Sequence, residues 1–343
     1  MLTRDFDYDL PSELIAQTPI EPRDASRLLV LHRDTGTLEH RLFRDILSYL
    51  RPGDLLVVNE TRVIPARLWA RKVPTGGKVE LLLLAKRGPA LWEALVKGRK
   101  VPVGQQLELA QGSNACSCQG IVEAITDSGG RLIRFDEPID DRLERMGTVP
   151  LPPYIHQPLR NPERYQTVYS RVQGSVAAPT AGLHFTPELI AHTKELGVEW
   201  ASVLLHIGLD TFRPVTEELV EEHRIHTEYC RLPPDVAERI NAAKAEGRRV
   251  IAVGTTSVRV LESAAQGVGQ GVRPWDGPTE LFIYPGYRFR VVDAMITNFH
   301  LPCSSLLMLV SAFSGREHIR LAYEEAIRRT YRFYSFGDSM LII

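Results

Sequence analysis

The chain has 343 residues, 44% hydrophobic and 24% charged, which is typical of a folded soluble protein long enough for two domains. Its formal net charge of −1 excludes a global basic field that would draw it to nucleic acid or a membrane, so any RNA contact must come from a local patch. Four scattered cysteines exclude a disulfide scaffold, and no apolar run is long enough to span a membrane. We therefore expect a cytoplasmic protein without membrane contact.

The first third of the chain predicts a short helix and then many strands. A helix is expected at ELIAQ (13–17) and a strand at LLVLHR (28–33). From Asp54 to Phe135, apolar segments recur between turn sequences such as KRGP, PVG and DSGG. The segments are LLVVN, ARLWARKV, KVELLLLAK, LWEALVK, QQLELA, GIVEAIT and RLIRF. Short strands at regular spacing predict a small barrel or sandwich.

After a proline-rich linker at 149–166, strands alternate with helices. The predicted helices are ELIAHTKELG, DVAERINAAKAEG, TTSVRVLESAAQG, SSLLMLVSAFSG and HIRLAYEEAIRRTYRFYSF. The predicted strands are VEWASVLLHIG, RRVIAVG, ELFIYP, DAMITNF and SMLII. This alternation predicts an α/β domain with a largely parallel sheet. We therefore predict an α/β domain formed by 1–64 plus 151–343, interrupted by an inserted β domain at 65–150.

Three loops that follow predicted strands carry polar residues, and ligands in open α/β sheets bind beyond the carboxyl ends of strands. In the first loop, Thr255, Thr256 and Ser257 begin a helix after a glycine, which suits a carboxylate or phosphate, or only hydroxyl capping of the helix. In the second, Asn298, Phe299 and His300 precede a serine-capped helix, although His300 also fits a buried structural histidine. The third, AAPTAGLHFT, fits either a ligand loop or a tight turn, and it contains Thr180, Gly182, His184 and Phe185.

Two further clusters contain histidine. His206 ends a predicted strand, and Asp210, Phe212 and Arg213 follow in the same loop. In the segment EEHRIHTEYC, His223, His226 and Cys230 have the spacing of one helix face, and Glu228 lies between them. A thiolate zinc site generally needs a fourth close ligand, and none is present, so no metal is expected. Histidine exchanges protons most readily near neutral pH, which makes these loops candidates for acid–base chemistry.

Long matching segments spread over residues 7 to 341 make the sequence resemble a known family. They include DYDLPSELIAQTP, VVNETRVIPARL, YQTVYSRVQGSVAAPTAGLHFT, HRIHTEY, VIAVGTTSVRVLES, MITNFHLPCSSLLMLVSAF and YRFYSFGDSML. The chain is similar to the S-adenosylmethionine:tRNA ribosyltransferase-isomerases of queuosine biosynthesis. One residue departs from the family pattern, because Asp210 stands where the family usually has the second glycine of His-x-Gly-x-Gly-Thr-Phe. Aspartate tolerates a left-handed backbone, so we expect the loop shape to be kept.

The resemblance implies a particular fold and reaction. The family fold is an α/β domain with an inserted antiparallel six-stranded β-barrel. The family transfers the ribosyl part of S-adenosylmethionine to 7-aminomethyl-7-deazaguanine at the wobble position of tRNA, and isomerises it to give epoxyqueuosine with release of adenine and methionine. S-adenosylmethionine is a consumed cosubstrate, so no cofactor or metal is expected. The implied partners are this tRNA and S-adenosylmethionine, and we expect a monomer.

The implied chemistry suggests roles for the candidate residues. A base must remove a proton beside the sulfonium, at the ribose 5′ carbon, and an acid should assist the departure of adenine. We expect His184, His206 or His300 to transfer protons, with His223, His226 and Glu228 as second choices. We expect the helix start at Thr255, Thr256 and Ser257 to bind the methionine carboxylate. Phe185, Phe212 and Phe299 are expected to contact adenine or the sulfonium, and Asn298 and Arg259 to bind polar groups. The loop of Thr180 and Gly182 is also expected to bind substrate.

Other functions remain open at this point. A methyltransferase would also use S-adenosylmethionine, but no strand is followed by a Gly-x-Gly-x-Gly loop early in the α/β sequence. A non-catalytic RNA-binding protein would explain a barrel and basic patches but not the histidine-rich loops. Two basic segments are candidates for gripping the anticodon stem, the turn at 97–100 and the segment at 328–332.

Overall fold

The computed structural model describes residues 1–109, 118–126, 129–208 and 214–343. Contacts between residues divide the chain into two compact units. The first unit contains Met1–Thr61, Pro152–Val172 and Ala178–Ile343, and the second contains Arg62–Leu151 and Gln173–Ala177. The sequence of the first unit is therefore interrupted by most of the second.

A nine-stranded mixed sheet forms the centre of the first unit. Its strands are β1 Arg27–His32, β2 Thr37–Leu42, β3 Leu55–Asn59, β12 Glu199–Leu205, β13 Glu228–Leu232, β14 Val250–Val253, β15 Trp275–Thr279, β16 Ala294–Asn298 and β17 Ser339–Ile342. They lie in the order β15-β13-β12-β3-β14-β16-β17-β1-β2. The four strands from β12 to β16 are mutually parallel, and β17 is parallel to β1. The pairs at both edges, and the pair β16–β17, are antiparallel.

Continuous apolar sequence explains why the middle of the sheet is parallel. Every residue of β3 (LLVVN), β14 (VIAV) and β16 (AMITN) is buried, as expected for strands covered on both faces. The edge strand β2 (TLEHRL) is instead charged and partly exposed, which protects the sheet edge from pairing with other chains. The core on one face of the sheet packs Phe43, Phe185 and Leu189 against the central strands.

Helices cover the faces of the sheet. They are α2 Pro187–Glu195, α3 Pro234–Ala245, α4 Thr255–Ala264, α5 Ser305–Ser314 and α6 Arg316–Arg328, and α1 Leu143–Met146 belongs to the second unit. Hydroxyl caps fix two of the starts, because Thr186 Oγ1 accepts from the Leu189 N–H at 3.1 Å and Ser304 Oγ accepts from the Leu307 N–H at 3.2 Å.

The second unit is a closed antiparallel barrel of six strands. Its strands are β5 Arg67–Val73, β6 Lys78–Gly88, β7 Leu91–Lys97, β8 Gln106–Leu109, β9 Gln119–Ile125 and β10 Arg131–Phe135. Alternation along β6 buries Val79, Leu81 and Leu83 inside the barrel, as period-2 apolar sequence predicts. Two short strands, β4 Thr61–Val63 and β11 Val172–Ser175, pair with each other. The expected α/β fold with a six-stranded barrel is confirmed.

Several local predictions were wrong. The sheet is mixed rather than largely parallel. ELIAQ forms only a 3₁₀ turn at Ser12–Leu14, and ELFIYP follows β15 as irregular chain. The last helix ends at Arg328, before TYRFYSF. His223, His226 and Cys230 have helical spacing in the sequence but do not lie on one helix, because strand β13 begins at Glu228.

Candidate active site

Most of the predicted loops meet at one edge of the large sheet. Strands β12, β3, β14 and β16 are parallel, so their carboxyl ends lie at the same edge. Because β17 runs antiparallel to β16 and parallel to β1, the residues that precede β1 and β17 also lie there. Strands that are distant in the sequence are therefore neighbours in the sheet, which brings Ser26, Asn298 and Asp338 to the same edge.

A pocket of about 620 Å³, including its open mouth, lies at this edge. Of the residues expected in the site, those that line it are Thr180, Thr255, Thr256, Asn298, Phe299 and His300. Residues that the sequence analysis missed also line it, among them Tyr154, Ile207, Tyr334 and Ser335. The last two follow α6 in YRFYSF, a segment that its apolar spacing had assigned to the helix.

The start of α4 presents backbone donors to the pocket. Gly254, with φ 88°, turns the chain from β14 into the helix in a conformation that L side chains rarely adopt. No side chain caps this helix, so the N–H groups of its first turn have no partner within the helix. Thr256 Oγ1 has no hydrogen-bond partner among the described residues, whereas Ser257 Oγ donates to the Val253 carbonyl at 2.9 Å. The Ser257 hydroxyl is therefore engaged by the backbone of β14 and is not available to donate to a ligand.

The Asn298 amide has a fixed orientation and one unused acceptor. Its Nδ2 lies within 3.1 Å of the Tyr334 carbonyl, 3.4 Å of the Asp338 carbonyl and 3.3 Å of His184 Nε2. Because these three neighbouring atoms are all acceptors, the amide atom that faces them is the nitrogen, and Oδ1 faces the opposite direction. Oδ1 has no partner among the described residues, although Asn298 is only 3% exposed. A buried acceptor without a partner is costly, so a ligand donor in this pocket would complete it.

His184 lies behind Asn298 and does not line the pocket. Its Nε2 accepts from the Asn298 amide, and its Nδ1 lies 2.7 Å from Ser26 Oγ. The ring also stacks on Phe43, with centroids 5.0 Å apart. Burial, together with nearby arginines, lowers the pKa of His184 to about 3. With both ring nitrogens bonded and its ring outside the pocket lining, His184 is suited to holding Asn298 and not to exchanging protons with a ligand.

His300 does line the pocket, and hydrogen bonds hold it from two sides. Its Nε2 lies 2.8 Å from Thr297 Oγ1. Its backbone N–H donates to the Tyr323 hydroxyl at 2.9 Å, and its carbonyl accepts from the Tyr8 hydroxyl. Burial lowers the pKa of His300 to about 3, so the ring is neutral near pH 7. A neutral imidazole fixed in a pocket wall can accept a proton from a bound ligand.

These two histidines predict a loss of stability in acid. The unfolded chain protonates them near their ordinary pKa of 6.5, whereas the folded protein resists protonation down to about pH 3. Their contribution to the free energy of unfolding is therefore complete above pH 6.5 and is lost as the pH falls toward 3. Urea unfolding at a series of pH values should show a shallower decline for His184→Gln than for the wild type. Parallel curves would contradict this linkage.

His206 is separate from the pocket. Its Nδ1 lies 2.8 Å from Thr61 Oγ1, and its ring stacks on Tyr229 with centroids 5.9 Å apart. Burial and Arg231 lower the pKa of His206. The next residue, Ile207, lines the pocket instead. The structure therefore does not bring His206 together with His300.

Glu228, His226 and Arg259 form a buried charged cluster at the start of β13. Glu228 Oε2 pairs with the Arg259 guanidinium, and Oε1 lies 3.3 Å from His226 Nε2 and accepts from the Gly208 N–H at 3.1 Å. Burial opposes ionisation of Glu228, but Arg259 and His226 outweigh it and leave its pKa lowered. His223 lies elsewhere, with Nδ1 2.9 Å from Glu217 Oε2. Glu228, His226 and Arg259 were expected in the site, but in the structure they form an ion-paired cluster outside the pocket lining.

Three residues expected to bind substrate have structural explanations. A Cβ on Gly182 would lie 2.0 Å from the Tyr169 hydroxyl, so this glycine makes room for Tyr169 and not for a ligand. Phe185 is fully buried between Phe43 and Trp200 and does not line the pocket. Phe299 adjoins the pocket, but it is 1% exposed and its ring packs on Phe333. Phe212, Asp210 and Arg213 lie outside the described residues.

Two tyrosines also contribute aromatic rings to the pocket wall. The rings of Tyr154 and Tyr334 lie 4.8 Å apart, and the Tyr154 hydroxyl is 2.7 Å from Ser335 Oγ. Tyr334 has φ 70°, a left-handed conformation that is uncommon for a bulky residue. Backbone strain of this kind clusters at functional sites, where surrounding structure holds it in place.

The two basic segments considered for RNA binding differ in how their charges are paired. Lys97, Arg99 and Lys100 of the barrel turn are exposed. On α6, Arg328 and Arg329 both pair with Glu325, which reduces their net positive charge. No contact in the structure tests RNA binding at either segment, so both stay predictions. In the part of the chain that the structure describes, no cluster of three His, Cys, Asp or Glu residues is arranged to hold a metal, and no helix is long and apolar enough to cross a membrane.

The fold and the pocket together define an α/β protein with an inserted barrel and a pocket at the carboxyl edge of its sheet. A family model described as "Queuosine biosynthesis protein" matches residues 3–342. The S-adenosylmethionine:tRNA ribosyltransferase-isomerases of Moorella thermoacetica and Desulforamulus reducens are 56% and 54% identical, each over 100% of both chains. A crystal structure of S-adenosylmethionine tRNA ribosyltransferase from Thermotoga maritima matches with a TM-score of 0.57 and 42% identity, covering 99% of this chain and 100% of that one.

The chain belongs to the queuosine biosynthesis protein family. The resemblance seen in the sequence is thereby confirmed, and with it the expectation of a transferase-isomerase enzyme. Identity over the full length of both chains means that the barrel and the α/β unit are both shared with these relatives.

Proposed function

We propose that this enzyme transfers the ribosyl moiety of S-adenosylmethionine to 7-aminomethyl-7-deazaguanine at the wobble position of tRNA, and isomerises it to form epoxyqueuosine with release of adenine and methionine. The observation that carries the proposal is the full-length match to enzymes named S-adenosylmethionine:tRNA ribosyltransferase-isomerase. The pocket supports it, since it lies at the carboxyl edge of the sheet, where ligands bind in α/β folds, and combines apolar and tyrosine side chains with a few polar groups.

His300 is the proposed base that removes the proton beside the sulfonium. It is the predicted histidine that lines the pocket, and its ring is neutral near pH 7, where its lowered pKa makes it a weak base. The positive sulfur acidifies the adjacent 5′ carbon, so a weak but well-placed base is sufficient. His184 is proposed as a positioning residue, because both of its ring nitrogens are engaged by Ser26 and Asn298.

The remaining pocket groups suit the other parts of the cosubstrate. The uncapped start of α4, with the free Thr256 hydroxyl, is the proposed site of the methionine carboxylate. Asn298 Oδ1 is proposed to accept a hydrogen bond from a ribose hydroxyl or the adenine amine. Tyr154 and Tyr334 replace the phenylalanines as proposed stacking partners of a base. S-adenosylmethionine is consumed, and we propose no further cofactor or metal.

Product analysis tests this reaction directly. The full-length protein is incubated with S-adenosylmethionine and tRNA that carries 7-aminomethyl-7-deazaguanine. We expect adenine and methionine to appear in equal amounts, with label from the ribosyl carbons retained on the tRNA. Formation of S-adenosylhomocysteine would instead identify a methyltransferase, and the absence of any product would indicate a binding protein.

A further inference from the structure

A second, smaller cleft of about 250 Å³, including its open mouth, lies beside the candidate pocket in the same unit. Arg23, Arg164 and His184 line it, and Ser335 lines both the cleft and the pocket. The two cavities therefore share a wall. None of the roles proposed above uses the cleft or its arginines.

Two guanidinium groups in this cleft are incompletely neutralised. Arg23 donates to the Leu183 carbonyl at 3.1 Å and to the Glu163 carbonyl at 2.9 Å, and among the described residues it has no carboxylate within 4.0 Å. Burial, and then the Arg164 guanidinium, lower the pKa of Arg23 to about 10, against smaller opposing effects of Glu21 and Glu163. Like charges that are partly buried without full compensation are unfavourable, unless an anion joins them.

Arg164 has a carboxylate partner that an incoming anion can displace. It pairs with Glu21, whose side chain is 68% exposed, whereas that of Arg164 is only 13% exposed. The Arg164 Nη2 also donates to the Ile20 carbonyl at 2.7 Å, which holds the guanidinium in place. Glu21 can therefore swing into water while Arg164 stays in the cleft.

We propose that this cleft binds a phosphate group of the tRNA backbone next to the wobble nucleotide. This inference rests on the proposed function, because a base that enters the pocket must be everted and brings its flanking phosphates to the wall that the two cavities share. Guanidinium groups suit phosphate through paired hydrogen bonds and remain charged at all physiological pH values. The cleft thus fixes the strand while the pocket receives the base.

The salt dependence of tRNA binding tests this proposal. For Arg23→Gln and Arg164→Gln, the slope of log K against log salt concentration should become shallower by about 1 per lost phosphate contact. Binding of S-adenosylmethionine should be unchanged in both variants. Glu21→Gln should act in the opposite direction and tighten tRNA binding, since it removes the competing carboxylate. Arg320→Gln is the matched control, because this exposed arginine pairs with Glu317 and Glu324 on α6 and should leave the slope unchanged.

The outcomes separate this inference from the proposed function. Wild-type slopes in both arginine variants, or looser tRNA binding by Glu21→Gln, would overturn the phosphate site while leaving the reaction intact. Loss of S-adenosylmethionine binding with normal tRNA binding would assign the cleft to the cosubstrate and would also overturn it. A wild-type protein that does not bind tRNA at all would overturn the proposed function itself. Two separate arginines are changed, so that a folding defect in one variant does not decide the result.

Discussion

Replacing His300 with alanine is expected to lower kcat by about 10²–10⁴-fold, the usual contribution of a positioned proton-transfer group. The reason is geometric, because His300 lines the pocket, and Thr297, Tyr323 and Tyr8 hold its ring and backbone in place. The measurement is adenine release at saturating S-adenosylmethionine and tRNA. Binding of S-adenosylmethionine should change little, which separates a loss of chemistry from a loss of affinity.

Two other histidines serve as comparisons for this experiment. His192 is exposed on α2, so His192→Ala should have wild-type activity. His184→Gln should raise KM for S-adenosylmethionine more than it lowers kcat, because the ring acts on a ligand only through Asn298. Near-normal turnover of His300→Ala would remove His300 as the base.

The largest effect on stability is expected at the buried ion pair of Arg259 and Glu228. The side chains of these residues are only 6% and 2% exposed. Arg259→Leu leaves the buried carboxylate without its guanidinium, so we expect the free energy of unfolding to fall by about 3–5 kcal/mol. Guanidinium chloride unfolding followed by circular dichroism measures this loss.

A double variant and a surface variant make the test specific. Replacing both partners with leucine should recover much of the loss, because no unpaired charge then remains buried. Arg320→Leu, at an arginine whose side chain is 50% exposed, should cost no more than about 1 kcal/mol. A loss for Arg259→Leu as small as that of the surface variant would show that Glu228 is stabilised mainly by other groups.

Local sequence predicted elements well where one physical signal dominated. Strands β14 and β16 are runs of apolar residues, and α2 begins at a threonine followed by proline, so both kinds of element were recognisable. ELFIYP is as apolar as a typical strand, but the strand that pairs with β13 at this edge is β15, at Trp275–Thr279. The choice between two apolar segments depended on pairing, which is not a property of either segment.

The residues of the candidate site were also predictable from the sequence only in part. Position after a strand indicated Thr255, Asn298 and His300, and all three line the pocket, because parallel strands present their carboxyl ends at one edge. The same reasoning could not tell a pocket residue from a core residue nearby, and Phe185 and Gly182 lie in the packed interior. Tyr334 and Ser335 were missed because they enter the edge from the start of an antiparallel strand.

By itself, the sequence determined the two kinds of architecture, the family and the loops where chemistry was to be expected, since periodicity and glycine turns are encoded locally. Only the tertiary structure decided which histidine meets the pocket, that Asn298 retains an unused acceptor, and that Arg23 and Arg164 share a cleft beside it. These properties depend on distances between residues that are far apart in the chain, and such distances are set by how the strands pair and the helices pack.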